Sequence, residues 1–158
     1  MKTTVIGASA GVGLELVNQL VERGHQVTTM SRSVESIDHH PAIHKIRGSS
    51  LNADDVARAI DGAEVVLVTL GTGMSSEATG LYPKSATAIL QALRATKAQA
   101  PLIVLTRAFT RDFGARILSL GVRYYFSQDF CESEFREVVQ SLLAQAAPFA
   151  PAFHFDQL

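Results

Sequence analysis

A chain of 158 residues, 47% hydrophobic and 18% charged, has the size of one domain and the makeup of a globular protein, which excludes a disordered chain. Its formal net charge of −1 excludes broad attraction to nucleic acid or an anionic membrane surface, and no apolar run is long enough to span a bilayer. Cys131 is the one cysteine, so no internal disulfide can form, and the amino terminus lacks the basic-then-apolar layout of a signal peptide; both set the expectation of a reducing, cytoplasmic compartment.

Short apolar runs alternate with amphipathic segments from end to end. This pattern predicts an α/β fold: a doubly wound parallel sheet of about six strands between two helical layers, filling 1–158 as a single domain. The first strand is expected at Thr3 to Gly7 and the first helix at Gly11 to Arg23, with the apolar stripe Val12, Leu16, Val17, Leu20 and Val21. Gly24 suits the left-handed stop behind it. A second strand is expected at Gln26 to Ser31. Arg32 to Ala42 reads as a loop or short helix, and His44 to Arg47 as a short third strand. Asn52 reads as the N-cap of a helix that turns Val56, Ala59 and Ile60 inward and stops at Gly62. The fourth strand, Glu64 to Leu70, is apolar enough to be buried on both faces.

Gly71 to Pro83 reads as a loop over the site. A helix from Lys84 to Ala98 should bury Ala86, Ile89, Leu90 and Leu93. Then come a strand at Leu102 to Thr106, a helix at Asp112 to Leu120, a strand at Val122 to Phe126, and a helix at Glu132 to Ala146 with the stripe Phe135, Val138, Val139, Leu142 and Leu143. The tail 148–158 carries Phe149, Phe153 and Phe155. It offers either a cover for the sheet or a homodimer contact.

The turn between the first strand and first helix reads Gly7-Ala8-Ser9-Ala10-Gly11-Val12-Gly13. A strand, a Gly-rich turn and a helix N-terminus together aim backbone N–H groups and the positive end of the helix dipole at an anion. With a second strand about twenty residues on, this is the context of a Rossmann-type dinucleotide site. Gly7, Ser9, Ala10, Gly11, Val12 and Gly13 are the expected pyrophosphate cradle, and Gly13→Asp is expected to abolish binding with little loss of fold. At the end of the second strand stand Ser31, Arg32 and Ser33, with no acid to hold ribose hydroxyls. The Arg32 guanidinium suits a 2′-phosphate and Ser31 and Ser33 add hydroxyl donors, which favours NADP(H) over NAD(H).

These residues, with the run Ala59 to Val66 and Leu70-Gly71-Thr72, resemble the short-chain dehydrogenase/reductase superfamily, in particular its atypical NAD(P)H-binding branch of biliverdin-IXβ/flavin reductases and NmrA-like regulators. The resemblance implies that Leu70, Gly71 and Thr72 line the nicotinamide ribose. It places Ser49 and Ser50 where the family holds an acid and an apolar residue against adenine. After the fifth strand the family often reads Thr-Ser-Ala-Phe; here Thr106-Arg107-Ala108-Phe109 stands there. The family's Tyr-x-x-x-Lys pair is absent: four residues past Tyr82 is Ala86, and past Tyr124 and Tyr125 are Gln128 and Asp129. A fainter likeness ties residues 101–145 to the end of a response-regulator receiver. The acidic pair and phosphoacceptor aspartate of a receiver are missing, so this half reads as shared βαβ architecture.

Tyr82 and Thr106 are the candidate catalytic residues, and Thr106 is also expected to contact the cofactor. Arg107 and Arg111 follow the fifth strand, where a ligand could meet them. His39, His40 and His44 cluster without a carboxylate or cysteine at ligand spacing, so no metal is expected. Cys131 reads as a reactive thiol or a semi-buried structural cysteine. Two functions stay open: a small NADPH-dependent reductase of a flat acceptor such as a flavin, which needs no protein proton donor, and a non-catalytic NADP(H)-binding sensor or regulator. A scaffold that has lost its cofactor is a third. The small-molecule substrate is not legible in these residues.

Overall fold

The computed structural model describes residues 1–70, 81–95, 102–105, 122–126 and 131–144. The chain divides into two compact units, Met1–Ala100 and Pro101–Leu158.

The first unit is built on β1 (Lys2–Ile6). Every residue of β1 after Lys2 is buried. It pairs in parallel with β2 (Gln26–Ser31) on one side and β4 (Val65–Val68) on the other, and β3 (Ile43–Arg47) adds outside β2, giving the order β3-β2-β1-β4. The alternation of strand side chains splits the core in two. Val5 and Val27 face α1 (Gly11–Glu22) and pack with Ala8, Val17 and Ile37. Ile6 and Met30 face α2 (Ala53–Ile60) and α3 (Leu81–Ala95), packing with Val56, Ala59, Ile60, Ile89 and Ala92. A parallel sheet with helices on both faces is the expected α/β sandwich.

Local chemistry sets the element ends. The Asn52 side chain accepts from the N–H groups of Asp54 and Asp55, so the expected N-cap forms. Gly24 and Gly62 take positive φ behind α1 and α2. Thr4, buried in β1, donates its hydroxyl to the Ala59 carbonyl at 2.7 Å, tying the sheet to the end of α2. No buried side-chain nitrogen or oxygen lacks a partner among the described residues.

Three expectations are corrected. Among the four strands of this sheet β1 is the most buried; β4, at its outer position, is half-buried, with Val68 exposed. The helix expected from Lys84 begins at Leu81, so Tyr82 and Pro83 sit in a helical first turn, where a proline sacrifices no helical hydrogen bond. Its buried face is Ser85, Ala88, Ile89 and Ala92, while Ala86 is exposed. The face packs on α2, and Ser85 can lie inside it because its hydroxyl finds a polar partner in Ser50.

In the second unit, β5 (Leu102–Leu105) pairs in parallel with β6 (Val122–Phe126), with a register slip between Leu102 and Ile103. Helix α4 (Glu132–Ala144) half-buries Phe135, Val138 and Val139, as its periodicity predicts. Residues 71–80, the helix expected at 112–120, Arg107, Arg111 and the tail 148–158 lie outside the described residues. No helix among those described is long and apolar enough to cross a membrane.

Candidate dinucleotide-binding site

Parallel pairing in register brings the carboxyl ends of β1, β2 and β3 together: Ile6 lies opposite Met30, and Ser31 opposite Arg47. The Gly-rich turn, Ser31 to Ser33 and the Ser49 loop therefore share one edge of the sheet, where open α/β folds place ligands.

The turn is tightly held below and open above. The Gly7 N–H donates to the Met30 carbonyl at 2.8 Å. The φ of Gly7 is 93°, and a Cβ there would meet the Thr69 carbonyl oxygen at 2.8 Å. Gly11 has φ 55° with nothing near the place of its missing Cβ, and Val12 is 73% exposed. Val12 thus leaves the expected core stripe, whose inward face is Gly13, Leu14, Val17, Leu20 and Val21. The N-cap of α1 is Ala10, which offers no side-chain acceptor, and no acid lies in the first turn. An ordinary N-cap side chain would occupy these N–H groups; here Ala10 leaves them uncapped. The residues present fit a pyrophosphate.

Gly13 plays a different part from the one expected. The place of its Cβ lies against the Gly7 carbonyl oxygen and 2.5 Å from the Thr69 hydroxyl. A substituent there runs into the Gly7 backbone and the Thr69 side chain at the base of the turn, so the expectation that Gly13→Asp spares the fold is corrected. Thr69 is a residue that sequence reasoning missed. Its N–H donates to the Ile6 carbonyl at 2.8 Å and its hydroxyl lies 3.2 Å from the Ile6 and Gly7 carbonyls, clasping the turn from just beyond β4.

Arg32 is exposed at the end of β2. The loop behind it is anchored by Ile37, buried in the α1-side core, and by Lys45, which donates to the Ile37 carbonyl. Ser36 donates to the Ser9 carbonyl at 2.6 Å, so the loop is bonded to the Gly-rich turn itself. Ser33, expected as a ligand donor, gives its hydroxyl to Glu35 instead, at 2.8 Å.

The Ser49-Ser50 pair divides. Ser49 stays at the edge, its N–H held by the Asp55 carboxylate at 2.9 Å. That hydrogen bond, followed by one from Arg58, holds the Asp55 carboxyl below its usual pKa. An acid therefore does stand beside Ser49, supplied from α2 and not from the loop. Ser50 is drawn inside, its hydroxyl 2.9 Å from that of fully buried Ser85 on α3. Ser50→Ala and Ser85→Ala should each cost about 1–2 kcal/mol by leaving a buried hydroxyl unpaired, and the double variant should cost less than their sum. Urea unfolding of the three variants checks this; strict additivity would mean the hydroxyls do not pair.

Leu70, expected at the nicotinamide ribose, packs against the Ile6 core. Gly71, Thr72 and Thr106 lie outside the described residues, as does the Tyr82 side chain. Cys131 is exposed, not semi-buried. It stands just before α4, and the Ser133 hydroxyl, then the backbone N–H groups of Glu134 and Ser133, pull its thiol pKa down. Among the described residues no three His, Cys, Asp or Glu side chains gather as a metal would require.

A family model described as NAD(P)H-binding matches residues 7–125. The chain belongs to this NAD(P)H-binding family. The match runs from the Gly-rich turn through β5 and into β6, so the receiver likeness of the back half gains no support. A 3-beta-hydroxysteroid dehydrogenase of Mycolicibacterium neoaurum is 35% identical over 68 residues, 43% of this chain and 19% of that protein. The chain thus spans about a fifth of that relative's length. Among solved structures, the Bordetella bronchiseptica enzyme WbmH in complex with NAD+ aligns with TM-score 0.62 at 14% identity, over 80% of this chain and 54% of that one. A nucleoside-diphosphate-sugar epimerase from Staphylococcus aureus aligns with TM-score 0.62 at 15% identity, over 91% and 56%. At these identities the likeness speaks for the Rossmann fold.

Proposed function

We propose that this NAD(P)H-binding chain serves an NADPH-dependent reductase of a flat acceptor such as a flavin. The observation that carries the reading is the edge where the open, uncapped N-terminus of α1 adjoins exposed Arg32, with no acid at the end of β2. The N–H groups of Gly11, Val12 and Gly13 would hold the pyrophosphate, and Arg32 with Ser31 the 2′-phosphate. When bound, the nicotinamide supplies a hydride. The chain's own part is to orient that ring and keep water from it. A flat acceptor fits because no Tyr-x-x-x-Lys pair is present to donate a proton, and solvent can protonate a reduced flavin. The dehydrogenase name of the Mycolicibacterium relative supports oxidoreductase chemistry. The same missing pair favours a second reading, a non-catalytic NADP(H) sensor.

Titration with NADPH and NADH by calorimetry tests the site, and a screen of flavins and quinones for turnover separates reductase from sensor. Arg32→Ala should weaken NADPH by about tenfold or more, the worth of a charge-assisted hydrogen bond, and leave NADH nearly unchanged. Equal losses for both would take Arg32 away from the 2′-phosphate. Binding of neither dinucleotide by the unaltered protein would end both readings.

A further inference from the structure

Glu35 lies three residues beyond Arg32, on the loop that follows β2. One carboxylate oxygen accepts from the Ser33 hydroxyl at 2.8 Å and from the Val34 N–H at 2.9 Å. The other is ion-paired with the guanidinium of Arg47. Arg47 ends β3, directly opposite Ser31 in the parallel register, and also donates to the Arg32 carbonyl at 3.4 Å. Both charged side chains are 62% exposed, so this cluster forms at the surface of the sheet edge beside Arg32. A hydroxyl, a backbone N–H and a guanidinium converging on two oxygens make the donor set that a phosphate takes.

We propose that Glu35 is a built-in stand-in for the 2′-phosphate, and that Arg47 is the second guanidinium of that subsite. In the free protein the carboxylate keeps the donors in place. An incoming 2′-phosphate, with more acceptors and more charge, takes Arg47 from Glu35 and joins it to Arg32. The exchange is cheap, because an exposed ion pair contributes less than about 1 kcal/mol. The carboxylate is also a negative charge that the phosphate must approach, so it tempers the preference for NADP(H) over NAD(H). Discrimination between the two cofactors is then set by three side chains, Arg32, Glu35 and Arg47, of which the first alone is conspicuous in the sequence. The inference rests on the dinucleotide reading above and sharpens it.

Glu35→Gln keeps the shape of the side chain and removes its charge. Calorimetric titration of this variant should show NADPH binding strengthened about twofold to fivefold, the range of an exposed ion pair, with NADH unchanged. Arg47→Ala should weaken NADPH about tenfold, again with NADH nearly unchanged, and Arg47→Lys should fall between, since lysine keeps the charge without the fork. Adenosine 2′,5′-bisphosphate and 5′-AMP serve as fragment probes; the effects should follow the 2′-phosphate. Thermal unfolding of each variant confirms that the fold is kept. A Glu35→Gln protein with an unchanged NADPH-to-NADH ratio would overturn the proposal. So would one that loses NADH affinity, because Glu35 would then be holding ribose hydroxyls. In either case a wild-type protein that binds NADPH leaves the dinucleotide reading standing; a wild-type protein that binds neither cofactor removes both.

Discussion

Gly13→Ala is expected to lower the unfolding free energy by about 3 kcal/mol, the upper part of the range for forcing an atom into filled space. The added methyl would fall between the Gly7 carbonyl oxygen and the Thr69 hydroxyl. Two of those neighbours are bound to fixed backbone: Gly7 by its hydrogen bond to Met30, Thr69 by its hydrogen bond to Ile6. The Gly7 carbonyl is backbone and cannot step aside as a side-chain end could, and turning the Thr69 hydroxyl away would cost its contacts with the Ile6 and Gly7 carbonyls, so α1 would have to lift from the turn. Gly11→Ala is the matched control. Nothing stands near its missing Cβ, and its φ of 55° costs an alanine only about 1 kcal/mol. Urea unfolding of the two variants decides the matter. If Gly13→Ala unfolds at the wild-type midpoint, the helix does not rest on Gly7 and the account of the turn is wrong.

Ile6→Ala should cost about 3–4 kcal/mol through a cavity at the centre of the α2–α3 side of the core. Ile6 has no exposed surface and packs among Met30, Val56, Ile60 and Ile89. Those neighbours belong to a strand and two helices, which limits how far the space can collapse. Val12→Ala, at a residue of similar chemistry but 73% exposed, should change stability by less than about 0.5 kcal/mol. Thermal unfolding that shows similar losses for both would contradict the division between the core and the open face of the turn.

The pair Ile6 and Val12 also marks what can be read from a sequence and what cannot. Apolar runs and their spacing locate strands and helices because burial of one face is a local, periodic demand. That logic found β2 and β6 at their observed bounds and the Asn52 cap in its observed place. It placed Val12 in the core because position in a helix was all it had. The exposure of Val12 depends on where the strand delivers the helix, which is a tertiary fact. The buried face of α3 was missed for a related reason: Ser85 is polar, and only its partner Ser50, across the fold, makes it an inside residue. The site divided in the same way. The positive φ of Gly7 and Gly11 and the exposure of Arg32 were legible because conformation and charge at a strand end are local. The contacts of Thr69, Glu35, Arg47 and Asp55 were not, because they come from register between β1 and β4, from pairing of β2 with β3, and from the approach of α2 to the loop at Ser49.

The placement of β1 at the middle of its sheet has a consequence for how the chain comes together during synthesis. One neighbour of β1 lies close along the chain, Thr3 opposite Val27, and the other far off, Thr3 opposite Val65. A nascent chain can close the first pairing as soon as α1 and β2 leave the ribosome. The second must wait until β3, α2 and β4 have followed, with a larger loop entropy to overcome. Until then one edge of this buried strand stands open, and Thr69, which clasps the Gly-rich turn, has not arrived. The Gly-rich turn is therefore clasped late, by the residue that follows the last strand to join its sheet.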